Sequence, residues 1–256
     1  MFAFFVGIVS SMIGVGGGFL IVPILVLIYG ISTHLAVGTS AVMVVFTAVS
    51  STFAYAKQKR IDHKLGLILA IGSIPGAVVG AYATSLVSTK DLASLFGAFL
   101  MILAVRMFVA PREKGRTMWG WLRRIQDAGG QVFEYEADTV PGIFLSFFAG
   151  FASGFFGLGG GAVMVPVMVL VMTMPMHIAV ATSMFIMIFT STSAAAAHLL
   201  LRNVLADSAV ALGIGIVIGT QVGAFAARRL KAKSLQRVFA LFLIVIGARM
   251  ALQYIF

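Results

Sequence analysis

Apolar residues run along this chain in long blocks, not in the short alternations of strands or the one-sided stripes of surface helices. In the first half the blocks cover about 2–30, 34–56, 65–86 and 92–109, and in the second about 144–173, 177–201, 208–227 and 235–256. The last three of each set match the length a helix needs to cross a hydrocarbon core about 30 Å thick, roughly 20 residues at about 1.5 Å each. The first block of each set is different, because glycines interrupt it. Its flanks in the first half, 2–13 and 18–29, have about 12 residues or roughly 18 Å each, enough to reach mid-bilayer but not to cross it. Each first block is therefore either one long broken span or a re-entrant hairpin turning at its glycines. The pattern predicts an all-α polytopic membrane protein.

The blocks correspond because the chain repeats itself. Gly14-Val-Gly-Gly-Gly-Phe-Leu-Ile-Val-Pro23 returns as Gly157-Leu-Gly-Gly-Gly-Ala-Val-Met-Val-Pro166. The spacing that takes Gly14 to Gly157 also aligns His34-Leu-Ala-Val-Gly-Thr-Ser40 with His177-Ile-Ala-Val-Ala-Thr-Ser183, Gly76–Ala81 with Gly219–Ala224, and Arg106 with Arg249. A fixed-period repeat of this length marks two copies of one structural unit. The copies are expected at 1–109 and 144–256, joined by a basic, amphipathic linker at 110–143 that holds Trp119, Trp121 and five of the eight acids.

Composition removes the soluble alternatives. The 256 residues are 61% hydrophobic and 10% charged, and soluble domains carry about 25% charge. The excess of 18 Lys plus Arg over 8 Asp plus Glu would suggest nucleic acid in a soluble protein, but in a membrane protein it is the expected mark of cytoplasmic loops. The absence of cysteine removes disulfides, thiolate catalysis and Cys-based metal sites. The apolar opening lacks a basic leader, so no cleavable signal is expected there.

Placing the charges discriminates between the two readings of the glycine blocks. If each block crosses once, the basic residues divide between the two faces, with Arg228, Arg229, Lys231 and Lys233 opposite Lys57, Lys59 and Arg60. If each block re-enters, the second copy is inverted relative to the first, and about 15 of the 18 Lys and Arg share one face. The positive-inside rule favours inversion, with the basic loops and linker cytoplasmic and Arg116–Arg124 as an interfacial anchor.

The candidate chemistry follows from what the spans hold. All eight acids fall in loops or in the linker, so a carboxylate proton relay or carboxylate cation site has no residues. A glycine turn inside the bilayer frees N–H groups that must line a protected cavity, and a half-helix beginning at Gly18 or Gly161 points its positive end there. Such a site prefers an anion. Candidate binding residues are therefore Gly14, Gly16, Gly17 and Gly18 with Gly157, Gly159, Gly160 and Gly161, and the hydroxyls of Thr39, Ser40, Thr182 and Ser183, with Thr47/Thr190 and Ser50/Ser193 weaker. Gly72, Gly76, Gly80, Gly215, Gly219 and Gly223, spaced by four, read as helix-packing contacts. His34 and His177 read as helix-start residues, Arg106 and Arg249 as snorkelling ends, and Gln221 and His198 as asymmetric polar groups. No metal spacing, cofactor fingerprint or enzyme motif is present. The expected partners are a small anion and the lipid bilayer.

Two hairpins of the form G-x-G-G-G-x-x-x-x-P, each followed by H-x-A-V-x-T-S, resemble the TauE/SafE family of sulfite and organosulfonate exporters over nearly the whole chain apart from the linker. The resemblance implies export of sulfite, an organosulfonate or a related small sulfur oxyanion. It implies roles for Gly14, Gly16–Gly18, Pro23, their counterparts Gly157, Gly159–Gly161 and Pro166, and the two Thr-Ser pairs. The sequence departs from strict repetition at Ala181, where the first copy has Gly38. A permease for another small anion such as a carboxylate, and a non-transporting membrane scaffold, are the alternatives.

Overall fold

A computed structural model of the chain describes residues 2–109, 120–227, 244 and 248, with the side chains of 100, 103, 104, 106–109 and 170 not described. Arg106's side chain, Arg249, the block at 235–256 apart from 244 and 248, the basic run at 228–233 and the linker segment 110–119 lie outside the described residues.

The first half contains α1 (Phe2–Ile13), α2 (Gly18–Pro23) continued by a π-helical turn (Ile24–Ile28), α3 (Thr33–Lys57), α4 (His63–Thr84) and α5 (Thr89–Val109). Pro23 has no N–H to give to the helix, and the wider turn follows directly after it. The second half contains α6 (Thr139–Phe156), α7 (Gly161–Leu170), α8 (Met176–Leu200) and α9 (Ala206–Ala226). Five of these helices, α3, α4, α6, α8 and α9, are long and apolar enough to cross a membrane, so the protein is a multi-pass membrane protein.

Between α5 and α6 the described residues 120–138 form a β-hairpin in place of a helix. Gly120–Gln126 (β1) pairs antiparallel with Val132–Asp138 (β2). In β2, Phe133, Tyr135 and Ala137 are buried and Glu134 and Glu136 exposed, the period-two pattern of a strand with one covered face. Asp127 makes the turn, its Oδ1 accepting the N–H groups of Gly129 (2.8 Å) and Gln131 (3.0 Å). The covered face of β2 packs on Leu65 and Leu69 of α4 and on Met168, Met172 and Met174.

Packing crosses between the halves. α1 lies along α9, and α6 along α4; α3 packs on α8 between them. Each contact has a counterpart at the equivalent place in the other copy. A methyl on Gly76 would collide with the carbonyl of Phe147, and one on Gly219 with that of Phe4; Gly80 and Gly223 meet Phe151 and Ile8 in the same way. The glycines spaced by four are thus the surfaces on which the helices approach.

Hydrogen bonds fix which chain segments share an end of the bundle. At one end, the Ala128 N–H of the β-turn donates to the Gln58 carbonyl (3.0 Å), Gln58 Nε2 donates to the Ala224 carbonyl (3.2 Å), and the Thr173 hydroxyl donates to the Glu136 carbonyl (2.7 Å). At the other, His34 joins the start of α3 to the turn after α4, and the Leu205 N–H donates to Thr39 Oγ1 (3.0 Å).

Candidate functional site

The two glycine turns meet. Gly14, Gly16 and Gly17 have φ of 84°, 83° and 87°, and Gly157, Gly159 and Gly160 have 67°, 79° and 81°, a left-handed run that side-chain-bearing residues rarely adopt. Gly18 lies against the carbonyl of Gly157 and Gly161 against the carbonyl of Gly14, so no Cβ fits at either. Gly16 and Gly159 both sit on Val44 and Met187, which occupy equivalent positions near the middles of α3 and α8. The two turns therefore meet through Gly14, Gly18, Gly157 and Gly161, with Gly16 and Gly159 over the middles of α3 and α8. α2 and α7 begin there, and neither N-cap, Gly17 or Gly160, has a side-chain cap.

The predicted hydroxyls divide. Ser40 donates to the Gly157 carbonyl (2.6 Å) and Ser183 to the Gly14 carbonyl (2.9 Å), so each serine holds the glycine turn of the opposite half. Thr39 and Thr182 point elsewhere. They accept the N–H groups of Leu205 and Asp62, both at 3.0 Å, and these are the N-cap residues of α9 and α4. All four side chains are fully buried.

The other polar residues within the bundle mostly brace helices. His34 bonds Thr89 Oγ1 (3.1 Å) and the carbonyls of Thr84 (2.9 Å) and Val87 (3.0 Å). His198 bonds the Gly154 carbonyl (2.8 Å), and its counterpart Tyr55 donates to the Ser11 carbonyl (2.6 Å). Gln221 donates to the carbonyl and hydroxyl of Ser50, both at 2.8 Å. Among the described residues no three His, Cys, Asp or Glu side chains group as a metal site.

Beside the second glycine turn is a narrow cleft too tight to admit a water, lined by Ser73, Gly159, Gly160, Met164 and Thr190 among others. Ser73 escaped the sequence reading because the repeat places no hydroxyl at its counterpart.

A polar cluster that the sequence reading missed ties the β-hairpin to this bundle. The buried Asp62 carboxylate accepts from Arg123 Nε (2.8 Å) and Nη2 (2.6 Å), from the Tyr135 hydroxyl (2.7 Å) and from the Leu65 N–H (3.1 Å). Burial disfavours its charge, but these donors outweigh burial and hold the carboxyl below the usual carboxylate range. Burial, reinforced by the same carboxylate, pushes the Tyr135 phenol up. A second pair, Arg60 with Asp127 (2.8 Å), clamps the turn, and the arginine holds Asp127 below its ordinary value. The signal in the sequence was the alternation of Val132-Phe-Glu-Tyr-Glu-Ala137 behind Asp127-Ala-Gly-Gly130.

Comparison with known proteins places the chain among membrane transporters. A family model described as "Sulfite exporter TauE/SafE" matches residues 1–250. The probable membrane transporter protein YunE of Bacillus subtilis is 35% identical over 98% of this chain and 95% of its own length. A probable membrane transporter protein of Methanocaldococcus jannaschii is 33% identical over 64% of this chain and 57% of its own, and ORF9 of a Sinorhizobium species is 26% identical over 97% and 89%. No solved structure matches.

Proposed function

The chain belongs to the TauE/SafE family of membrane transporters, and from that premise we propose that it exports a small sulfur oxyanion, sulfite or an organosulfonate, bound where the two glycine turns meet. The observation that carries this reading is the convergence of two uncapped half-helix starts, at Gly17–Gly18 and Gly160–Gly161, at mid-depth between α3 and α8. Helix N-termini present free N–H groups and positive dipole ends, and paired half-helices near the midplane are a recurrent transporter binding geometry.

The repeats are inverted and each glycine block is a re-entrant hairpin. In support, Thr173, after α7, bonds the linker that precedes α6, and Met172 lies against Gly142 near the start of α6. Both limbs of that unit open toward one end. Lys57, Lys59, Arg60, Arg123 and Arg124 belong to the segments gathered at this end, which is the cytoplasmic one by the positive-inside rule. Export of an anion then runs with the membrane potential, which supplies about 2.3 kcal/mol per unit charge per 100 mV, and it requires no carboxylate relay. The turns are in contact, so transport requires them to separate.

The test is flux. Proteoliposomes offered sulfite, thiosulfate, sulfoacetate, sulfate and a set of carboxylates should show uptake or counterflow of a sulfur oxyanion. Preference for a carboxylate would reassign the cargo, and absence of flux for every anion would leave a membrane scaffold as the better account.

A further inference from the structure

The repeat extends into the loops that join the long helices, yet one of those loops is gripped and its counterpart is not. α4, α6, α7 and α8 pack as one group and α1, α2, α3 and α9 as another, meeting chiefly along α3 and α8. Two short loops cross between the groups, residues 58–62 from α3 to α4 and 201–205 from α8 to α9. Their backbones match. Lys59 and Arg202 both have positive φ, 53° and 57°, and the Arg60 and Asn203 N–H groups donate to the carbonyls of Tyr55 and His198. The last N–H of each loop donates to a threonine of the opposite copy, Asp62 to Thr182 and Leu205 to Thr39.

Their partners differ. In the first loop every second residue is bound by the β-hairpin. The Gln58 carbonyl accepts the Ala128 N–H (3.0 Å), Arg60 donates to Asp127 Oδ2 from Nε (3.1 Å) and Nη2 (2.8 Å), and Asp62 accepts from Arg123 and Tyr135. The equivalent residues of the second loop are Leu201, Asn203 and Leu205, which carry no charge. The hairpin thus touches both helix groups at one end of the bundle. Its covered face and the Asp62 cluster seat it on α4 and the end of α7, while its turn holds the end of α3, where Gln58 also donates to Ala224 of α9.

We infer that the 120–138 hairpin is a latch: it holds the two helix groups together at its own end, so that the transporter rests closed there and opens more readily at the end of the 201–205 loop. The inference rests on the transporter reading above, with its inverted repeats, and goes beyond it by saying which access state is favoured. Exact inverted copies would give two access states of equal energy, so a preference comes from where the copies differ. The hairpin lies between the copies and has no counterpart in either. Opening its end pulls Asp127 from Arg60 and Ala128 from Gln58, or lifts the hairpin from Asp62. Asp127, Gln58 and Asp62 are all buried, so each route strands a polar group that the closed arrangement satisfies.

The chain has no cysteine, so single introduced thiols can read each end separately. Val180 on α8 lies against Gly14 and its counterpart Val37 on α3 against Gly157, each about one turn inside the start of its helix, at opposite ends of the bundle. Val180→Cys and Val37→Cys are placed in nanodiscs, where both faces meet a water-soluble maleimide, with and without Arg60→Gln or Asp127→Asn; the latter keeps the oxygen that makes the turn. Without a latch change, Val180→Cys should label more slowly than Val37→Cys. Either latch change should speed labelling of Val180→Cys by about 5-fold or more, the effect of losing one charge-assisted hydrogen bond, and should not speed that of Val37→Cys. Equal acceleration at both positions would show general loosening and overturn the latch, as would unchanged labelling of Val180→Cys in both variants; either result leaves the transporter reading standing. A parent protein with no flux for any anion would overturn that reading and the latch with it.

Discussion

Gly76 shows how a side chain's absence does structural service. Its Cα faces the Phe147 carbonyl so closely that a methyl would overlap the oxygen, and the helix carrying that oxygen has no slack to move because Gly80 meets Phe151 one turn further on. Gly76→Ala should therefore act as overpacking, costing about 1–3 kcal/mol. The expected result is a lower melting temperature in detergent with flux per folded molecule unchanged, and a normal melting curve with lost flux would instead place Gly76 in the transport path. At this scale the sequence was most legible where it repeats. The two glycine turns and the Thr-Ser pairs stood out because each occurs twice, and spacing by four separated packing glycines from turn glycines. Ser73 and Asp62 were illegible for the opposite reason: a lone hydroxyl or carboxylate gains meaning only from what the fold brings against it. Thr39 and Thr182 were legible as important but not in role, since their partners are the N–H groups of Leu205 and Asp62, each in the other half of the chain.

Among the elements, the β-hairpin depends most on one charge. Asp62 has a depressed pKa in the folded protein, so its stabilising contribution is fully present above the unfolded value near 3.9 and is lost as pH falls through the lower folded value. Acidification below about pH 4 should therefore loosen the hairpin while the apolar bundle persists. Asp62→Ala reproduces this at neutral pH by stranding Arg123 and the Tyr135 hydroxyl, at a cost of about 2–3 kcal/mol. Hydrogen exchange at residues 120–138 should accelerate in both cases, and exchange unchanged by either would mean that the methionine contacts alone hold the hairpin. This element was hidden in the sequence by the much stronger hydropathy signal on either side. Its strand alternation spans only Val132–Ala137, and the linker's tryptophans and arginines suggested an interfacial segment in place of a sheet. Trp121 in fact lies under Arg123, 4.4 Å from ring to guanidinium, on the strand that delivers that arginine to Asp62.

For the molecule as a whole, topology is the property on which the reading turns. Reporter fusions after Ile31 and after Thr173 should appear on opposite faces of the membrane, because Ile31 adjoins the end where His34 bonds Thr84 and Thr173 adjoins the hairpin end. Appearance on one face would restore single crossings and parallel repeats. Span lengths, the repeat and its offset were all readable, since they depend only on composition and period. The exchange of partners between halves was not, because a repeat records likeness and does not say which copy touches which.

That exchange has a consequence for how the protein is made. α1 leaves the ribosome before its packing partner α9, which is synthesised about 200 residues later, at roughly 5–20 residues per second some tens of seconds. α4 likewise waits for α6. During that interval the small-residue grooves of both helices face lipid or the insertion machinery with nothing to fill them, so neither half completes these contacts alone, and the later helix of each pair closes them.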